Sequence, residues 1–379
     1  MSISSKMKKI KIKSDCRYFD GSRPCKFRRL CLGCKQYSPM GKRILIVKMA
    51  SAGDVLRTTA LLPALKNKYS QSYITWLVRD PANELLEGNN LIDRVLIYNL
   101  ESVLALLAEE FDFIFSLDKA PEACALATLV RAGNKRGFGM DAKGKISPFN
   151  KESEYAFILG VDDELKFYEN KKTYQQIMFD MVKLKYSGEK YELGLDRKEI
   201  DYSYKFLRQN GLAKNKSIIG INTGSGKVFA NKNLKPADIL KLISLIHKRL
   251  NVPVLLLGGP LEQDINKNLA RRAKGMAINS GCQHSLIRFA ALVNSCSLLI
   301  SADTLAMHIA IALKKPVIAL FGPTCHQEID LFGRGEKIIS PAVCSPCYRN
   351  RCNKAVTCMD RISLEDIYRA AERVINKKN

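Results

Sequence analysis

The chain contains 379 residues, which at about 150 residues per domain suggests two domains. Apolar residues make up 46% of it, enough for two cores, so the composition excludes a disordered or fibrous protein. Lysine and arginine number 61 against 37 aspartates and glutamates, and the net charge of +24 favours anionic partners such as nucleic acid, a membrane surface or an acidic small molecule.

No segment is predicted to cross a membrane. The longest uncharged stretch, from Phe289 to Ala302, is shorter than the ~18 residues that a spanning helix needs. The N-terminal lysines are not followed by the apolar segment of a secretory signal. We therefore expect a cytoplasmic protein whose basic surface allows peripheral contact with the cytoplasmic face of a membrane.

Residues 1–41 are predicted to form a separate basic arm, with the spacing Cys16-x8-Cys25-x5-Cys31-x2-Cys34. A second set of four cysteines lies near the C-terminus: Cys344, Cys347, Cys352 and Cys358. Four thiolates match the ligand count of a structural Zn²⁺ site, and an iron–sulfur cluster uses the same ligands. Disulfides and unlinked thiols remain open alternatives, and in each case we expect a structural rather than a catalytic role.

After the arm, short apolar runs alternate with helical patterns. The predicted strands are Ile44–Met49, Tyr73–Val78, Arg94–Tyr98 and Phe111–Leu117. The predicted helices are Val55–Tyr69, Asn83–Glu87, Ser102–Glu109 and Pro121–Ala132. This alternation predicts a parallel sheet covered on both faces.

The strand pattern fades between residues 151 and 214, where two helices are predicted at Lys171–Leu184 and Asp201–Gln209. A second alternating series then begins. Its predicted strands are Ser217–Asn222, Val252–Leu257, Leu298–Ser301 and Val317–Phe321. Its predicted helices are Pro236–Leu250, Leu261–Ala273, Leu286–Asn294, Thr304–Leu313 and Leu364–Asn376. We therefore predict two α/β domains, 42–214 and 215–379, facing each other across a cleft.

Two strand ends carry residues suited to chemistry. Asp54 follows the first strand, within the small-residue loop Ala50–Asp54, and is either a helix N-cap or a general base for an attacking hydroxyl. Asp303 and His308 follow a strand of the second series, where a helix N-terminus favours a diphosphate. Taken alone, Asp303 is more often an N-cap, and His308 is more often a core histidine.

These segments resemble the family 9 glycosyltransferases, the bacterial ADP-heptose:lipopolysaccharide heptosyltransferases. The resemblance begins with Ile44-Leu-Ile-Val-Lys-Met-Ala-Ser-Ala-Gly-Asp-Val-Leu-Arg-Thr-Thr-Ala-Leu-Leu-Pro63. It is more specific in Ser301-Ala-Asp-Thr-Leu-Ala-Met-His-Ile-Ala310 and in Pro316-Val-Ile-Ala-Leu-Phe-Gly-Pro-Thr324. It extends from about residue 43 to the C-terminal helix.

The resemblance implies a GT-B fold of two Rossmann-like domains, with the acceptor domain first, the nucleotide-sugar domain second and a final helix that returns toward the first. It also implies inverting transfer without a metal at the reacting centre, and no catalytic cofactor. Asp54 matches the proposed base. Residues that match the donor site are Thr223, Lys232, Glu262, Asp303, Thr304 and His308. Arg57 and Arg136 are expected on the acceptor side, where they could meet phosphate or carboxylate.

The chain departs from the family pattern at two positions. Leu305 stands where the family usually has glycine, which changes the backbone approach to the diphosphate. Leu234 stands where tryptophan is frequent. The first departure bears on the identity of the nucleotide or sugar rather than on the fold.

The function predicted from the sequence is transfer of heptose or a related sugar from an ADP-sugar to an anionic, lipid-linked cell-envelope glycan. One alternative is a nucleic-acid-binding zinc protein, suggested by the basic cysteine-rich arm. The arm offers few aromatic side chains for base stacking and no histidine pairs of the zinc-finger type, so nucleic acid is the weaker prediction. A second alternative is a nucleotide-sugar epimerase of the same architecture, which would share the donor site and need no acceptor.

Overall fold

A computed structural model describes residues 12–49, 51–226 and 229–376. The first eleven residues of the predicted arm, and Ala50 of the predicted loop before Asp54, lie outside the described residues. The remainder forms two six-stranded sheets, each flanked by helices, which confirms the predicted GT-B architecture.

The first sheet has the strand order β3-β2-β1-β4-β5-β6 and is parallel except for the β5–β6 pair. Its strands are β1 Arg43–Val47, β2 Tyr73–Val78, β3 Arg94–Ile97, β4 Glu110–Ser116, β5 Arg131–Met140 and β6 Ile146–Pro148. The central strand β1 pairs with both β2 and β4, with Ile44 opposite Ile74 and Phe113. Its apolar residues are buried because helices cover both faces.

The helices of this half connect the strands and then lead to the second half. They are α1 Ala52–Thr58, α2 Leu61–Lys68, α3 Leu100–Ala108, α4 Pro121–Leu129, α5 Glu154–Ile158, α6 Tyr174–Met181 and α7 Arg197–Gln209. Helix α6 begins at a capping box, in which Thr173 and Gln176 satisfy each other's backbone N–H groups.

The second sheet is parallel throughout, with the order β12-β11-β10-β7-β8-β9. Its strands are β7 Ile219–Asn222, β8 Val254–Leu257, β9 Ala277–Asn279, β10 Leu298–Ala302, β11 Val317–Phe321 and β12 Gly335–Ile339. Its helices are α8 Pro236–Leu250, α9 Gln263–Arg272, α10 Leu286–Asn294, α11 Leu305–Ala312 and α12 Leu364–Asn376.

One predicted helix is broken in the structure, and four strands, β5, β6, β9 and β12, were not predicted. The single helix predicted over Val55–Tyr69 is broken between α1 and α2, because Pro63 lacks the N–H that a continuous helix would donate to the carbonyl of Thr59. Strand β5 was missed, since its glycine- and arginine-rich sequence has little strand propensity.

The position of the final helix also differs from the one that the resemblance implies. Helix α12 does not return toward the first domain but packs against α8 and the second sheet. The cause is its apolar face, which joins the core of the second domain through Ile367, Tyr368, Ala370, Ala371 and Ile375.

The two halves share a packed boundary, with one apolar core cluster that contains residues of both. Helix α1 of the first half packs on α11 of the second. Gly53 makes this approach possible, because a Cβ atom there would lie 2.7 Å from Cδ2 of His308. The Cys325 thiol also donates to the carbonyl of Lys166, at 3.4 Å. Direct contacts therefore hold the two domains together at the cleft.

The described part of the arm packs at the amino-terminal edge of the first sheet. Arg17 binds the Asp93 carboxylate at 2.9 Å and the Gln71 carbonyl at 3.3 Å. The arm then runs into β1 at Arg43, so it lies at the opposite end of the sheet from Asp54, which follows the carboxyl end of β1. Among the described residues, no helix has both the length and the apolar character needed to cross a bilayer.

Candidate functional site

One cavity of about 630 Å³ lies between the domains, at the carboxyl ends of both parallel sheets. The first domain contributes residues 51–54 and Arg57 to its lining. The second domain contributes the loops that follow β7, β8, β10 and β11, together with the start of α11. Ligands of doubly wound sheets bind at this edge, because the loops there converge on helix N-termini.

Asp54 lies in the first turn of α1 and is one third exposed, toward the cavity. Arg57 Nη2 is 3.0 Å from its Oδ1, and Lys48 Nζ is 3.7 Å from its Oδ2. Burial opposes ionisation, but these two cations outweigh it and hold the pKa of Asp54 below its ordinary value. Asp54 is therefore an ionised carboxylate at neutral pH, with a face open to a substrate.

Arg57, which was predicted to bind the acceptor, lines the cavity and is paired with groups of the protein. Its guanidinium is 12% exposed and lies 3.6 Å from the centre of the Tyr174 ring. Besides Asp54, it faces Glu328 of the second domain, with 3.8 Å between Nη2 and Oε2. Arg57 thus neutralises two carboxylates from opposite sides of the cleft.

The second-domain side of the cleft is built around Asp303. Lys232 Nζ donates to the Asp303 backbone carbonyl at 3.1 Å and lies 3.3 Å from its Oδ2. Burial opposes ionisation of Asp303, but Lys232 and His308 hold its pKa below the ordinary value. Thr304 is the N-cap residue of α11, and its hydroxyl lies 3.0 Å from that of Ser301. This arrangement places a lysine beside the free N–H groups of a helix N-terminus.

His308 lies beneath this helix start and is 5% exposed. Its Nε2 is 3.7 Å from Asp303 Oδ1, while Nδ1 is buried without a hydrogen-bond partner. Burial, and next the positive charge of Arg57, lower the pKa of His308 to about 4. The imidazole is therefore neutral at pH 7 and acts as a polar spacer between Asp303 and α1.

Two glycine-containing loops form the floor of the second-domain side. Glu262 lines the cavity and accepts a hydrogen bond from the Gly259 N–H at 2.9 Å. Gly224 is needed for close packing, because a Cβ atom there would lie 2.4 Å from the Glu262 carboxyl carbon. Thr223 was predicted to touch the donor, yet its buried hydroxyl binds Asn266 Oδ1 at 2.6 Å, below the lining.

Arg136 is not brought to this cavity. It lies in the interior of β5, where its guanidinium donates to the carbonyl of Val182 and lies 5.3 Å from the ring centre of Phe113. The structure gives no support to its predicted contact with the acceptor.

The four arm cysteines line a small cavity of about 20 Å³. Backbone N–H groups, of Arg29 first and then Phe27, lower the pKa of the Cys25 thiol. All twelve cysteines are free, and within residues 12–49, 51–226 and 229–376 no three His, Cys, Asp or Glu side chains are positioned to hold a metal ion. Metal binding by either cysteine set therefore stays a prediction without geometric support.

The segment that carries the C-terminal cysteines contributes one residue to the cleft, which the sequence analysis missed. Tyr348 follows Cys347, lines the cavity and stacks on Phe167 with 5.5 Å between ring centres. Lys166 Nζ lies 3.7 Å from the centre of the Tyr348 ring. Glu328 and Lys48 were also missed; Lys48 lies in the quoted opening motif, whereas Glu328 is in a loop with no recognisable pattern.

Comparisons with known proteins bear on the family and the fold. The family model described as glycosyltransferase family 9 (heptosyltransferase) matches residues 102–356. Lipooligosaccharide heptosyltransferase 2 of Haemophilus influenzae is 23% identical over 313 residues, which cover 75% of this chain and 84% of that protein.

Two solved structures share the fold. A family 9 glycosyltransferase from Veillonella parvula superposes with a TM-score of 0.69 at 18% identity, covering 89% of this chain and 97% of the other. The ADP-heptose lipopolysaccharide heptosyltransferase II of E. coli gives a TM-score of 0.66 at 14% identity, covering 89% and 99%. At these identities the similarity establishes the shared fold.

Proposed function

This chain belongs to glycosyltransferase family 9, the heptosyltransferases, and is a glycosyltransferase; we propose that it transfers heptose or a related sugar from an ADP-sugar, with inversion, to an anionic cell-envelope glycan. The observation that carries the proposal is the pairing across one cavity of an ionised carboxylate, Asp54, with a lysine at a helix N-terminus, Lys232. A carboxylate can take a proton from an acceptor, and the lysine and helix can receive a departing diphosphate.

The donor occupies the second-domain side in this proposal. Its diphosphate meets Lys232 and the free N–H groups at the start of α11, where a positive side chain and the helix dipole act together. Its nucleoside lies toward Glu262 and the loop at Gly258–Pro260. Support for adenosine comes from the E. coli structural neighbour, whose name specifies ADP-heptose.

In the transfer step, Asp54 accepts the proton of an acceptor hydroxyl while that oxygen attacks the anomeric carbon of the sugar. The bond from the anomeric carbon to the diphosphate breaks, and its electron pair leaves on the diphosphate oxygen. Lys232 and the α11 N-terminus stabilise the developing negative charge. Because this chain's own groups carry these roles, transfer is expected to persist in EDTA.

The proposed acceptor is an anionic, lipid-linked glycan of the lipopolysaccharide-core type, met at the membrane surface. The net charge of +24 favours such a partner. Beside the cleft, Lys166 adds positive potential, since its Nζ lies 3.7 Å from the ring centre of Tyr348, which lines the cavity. The lipooligosaccharide named for the Haemophilus relative supports the same class of acceptor.

The first test is thermal stabilisation of the purified chain by ADP, UDP, GDP and CDP. Stabilisation at 100 times Kd amounts to ~2.7 kcal/mol, which a melting curve resolves. We expect ADP to be preferred, and Lys232→Ala to weaken its binding about 10- to 100-fold through loss of a charged hydrogen-bond donor. The exposed Lys241→Ala is the matched control. Preference for another nucleotide contradicts the ADP donor, and no response to any of them contradicts the donor site.

Product analysis separates transfer from the epimerase alternative. Incubation with ADP-heptose and no acceptor yields an isomerised nucleotide sugar only if the chain is an epimerase. The nucleic-acid alternative rests on the arm, whose described part packs at the end of the first sheet remote from the cavity.

A further inference from the structure

A second carboxylate faces the reacting region of the cleft and has no role in the mechanism above. Glu328 lies in the loop after β11 and lines the same cavity as Asp54. Its side chain is only 14% exposed. Burial raises the pKa of its carboxyl, with Arg57 acting in the opposite direction, and the negative charges of Asp54 and Asp303 add to the rise. Glu328 therefore lies near the carboxylates of both domains.

The loop that carries Glu328 is fastened to the first domain. The Glu328 backbone carbonyl accepts a hydrogen bond from the Tyr174 N–H at 3.0 Å. Next to it, Gln327 Nε2 donates to the carbonyl of Phe167, also at 3.0 Å. These bonds hold the carboxylate at the domain boundary, where a group passing from donor to acceptor must lie.

The Glu328 carboxylate is poorly satisfied by the protein. Among the described residues its one ion-pair partner is Arg57, at 3.8 Å, and none of them gives it a hydrogen bond. The same Arg57 nitrogen is nearer to Asp54, at 3.0 Å. A carboxylate with so little exposure needs hydrogen-bond donors, and this one lines the cavity. A substrate bound in the cavity can supply these donors in place of water.

We propose that Glu328 accepts hydrogen bonds from hydroxyl groups of the transferred sugar, and thereby selects a neutral, polyhydroxylated sugar over one that carries a carboxylate. This inference rests on the proposed transfer reaction. An acidic sugar would place a second negative charge beside a buried carboxylate, and that repulsion rejects it. A sugar lacking the bonded hydroxyl would leave Glu328 without its donor.

The test compares Glu328→Gln with the wild-type chain, using ADP-D-β-D-heptose and a series of monodeoxy analogues. We expect the variant to lose about 10- to 100-fold in kcat/KM for the parent sugar, mainly through KM. One analogue lacks the hydroxyl that binds Glu328. For that analogue, the kcat/KM values of wild type and variant should agree within threefold. Glu192→Gln is the control, because burial also raises the pKa of Glu192 although it lies outside this cavity.

Binding measurements keep the test independent of turnover. ADP alone should bind Glu328→Gln no more weakly than wild type, whereas the extra thermal stabilisation by ADP-heptose over ADP should shrink. Unchanged kinetics and stabilisation in the variant would overturn the inference, as would an equal loss of kcat with every analogue. Failure of wild type to transfer any sugar would instead contradict the proposed function, and the difference between ADP-heptose and ADP binding would still decide the role of Glu328.

Discussion

The two sides of the cleft are built alike and behave differently. On each side a parallel strand ends, an aspartate follows, and a short helix begins: Asp54 at α1 and Asp303 before α11. Asp54 is 33% exposed and is paired with two cations that leave one face open. Asp303 is 18% exposed, and its carboxylate is engaged by Lys232. The same local motif thus provides a reactive carboxylate on one side and a scaffold for an anion on the other, and the neighbouring side chains decide which.

The strongest way to test this contrast is to neutralise the exposed aspartate. Asp54→Asn keeps the shape but cannot take a proton, so we expect kcat to fall by about 10²- to 10⁴-fold. ADP affinity should stay within about threefold, because the donor groups lie on the other side. Turnover and ADP binding are measured on the same preparation.

The control for this variant is Asp238→Asn, which changes a carboxylate on α8 that contacts Lys241 away from the cleft. A near-normal kcat in Asp54→Asn would remove Asp54 from its assigned role. A matching loss of ADP binding would show that the two sides are not separable.

A smaller effect, on the free energy of unfolding, is expected from pH, because His308 lies between the two sides of the cleft. The folded-state pKa of His308 is about 4, against 6.5 for the free side chain. The unfolded chain therefore binds the additional proton first, and the free energy of unfolding should fall by about 3 kcal/mol as pH drops from 6.5 to 4. Above about pH 7.5 this contribution is constant.

Melting curves between pH 7.5 and 4.5 measure that slope. His308→Gln should flatten it, whereas His247→Gln, at an exposed position of α8, should leave it unchanged. An identical slope in wild type and His308→Gln would mean that other groups control the acid sensitivity.

The smallest effect on activity is expected from a substitution in the arm. The arm lies away from both sides of the cleft and serves as a reference for them. Arg17→Ala removes the guanidinium that binds Asp93 and the Gln71 carbonyl. We expect a loss of about 1–3 kcal/mol in stability, with kcat/KM within twofold of wild type at a temperature where both are folded. A tenfold loss of kcat/KM under those conditions would link the arm to the cleft.

Much of the fold could be predicted from the sequence because its buried strands are apolar and β-branched. The runs at Ile44, Tyr73, Val254 and Val317 all form parallel strands. Strand β5 could not be predicted, because neighbouring strands rather than its own residues determine its conformation.

The candidate site divides in the same way. Asp54 and Asp303 follow strand ends, so the sequence predicts their positions at the cleft, whereas Lys232 was predicted from the family resemblance. The contact of Arg57 with Asp54 could also have been predicted, since residues three apart meet on a helix. The positions of Glu328 and Tyr348 in the cavity could not be predicted, because they depend on packing between the two domains.

The position of the arm has a consequence for handling the enzyme on a surface. The arm enters at the amino end of β1, and the cleft opens beyond its carboxyl end, about 16 Å away along five residues. A tether or affinity tag attached through the arm would therefore present the cleft outward, away from the support. Immobilised in that orientation, the enzyme would receive bulky glycan acceptors from free solution, whereas attachment near the cleft would exclude them.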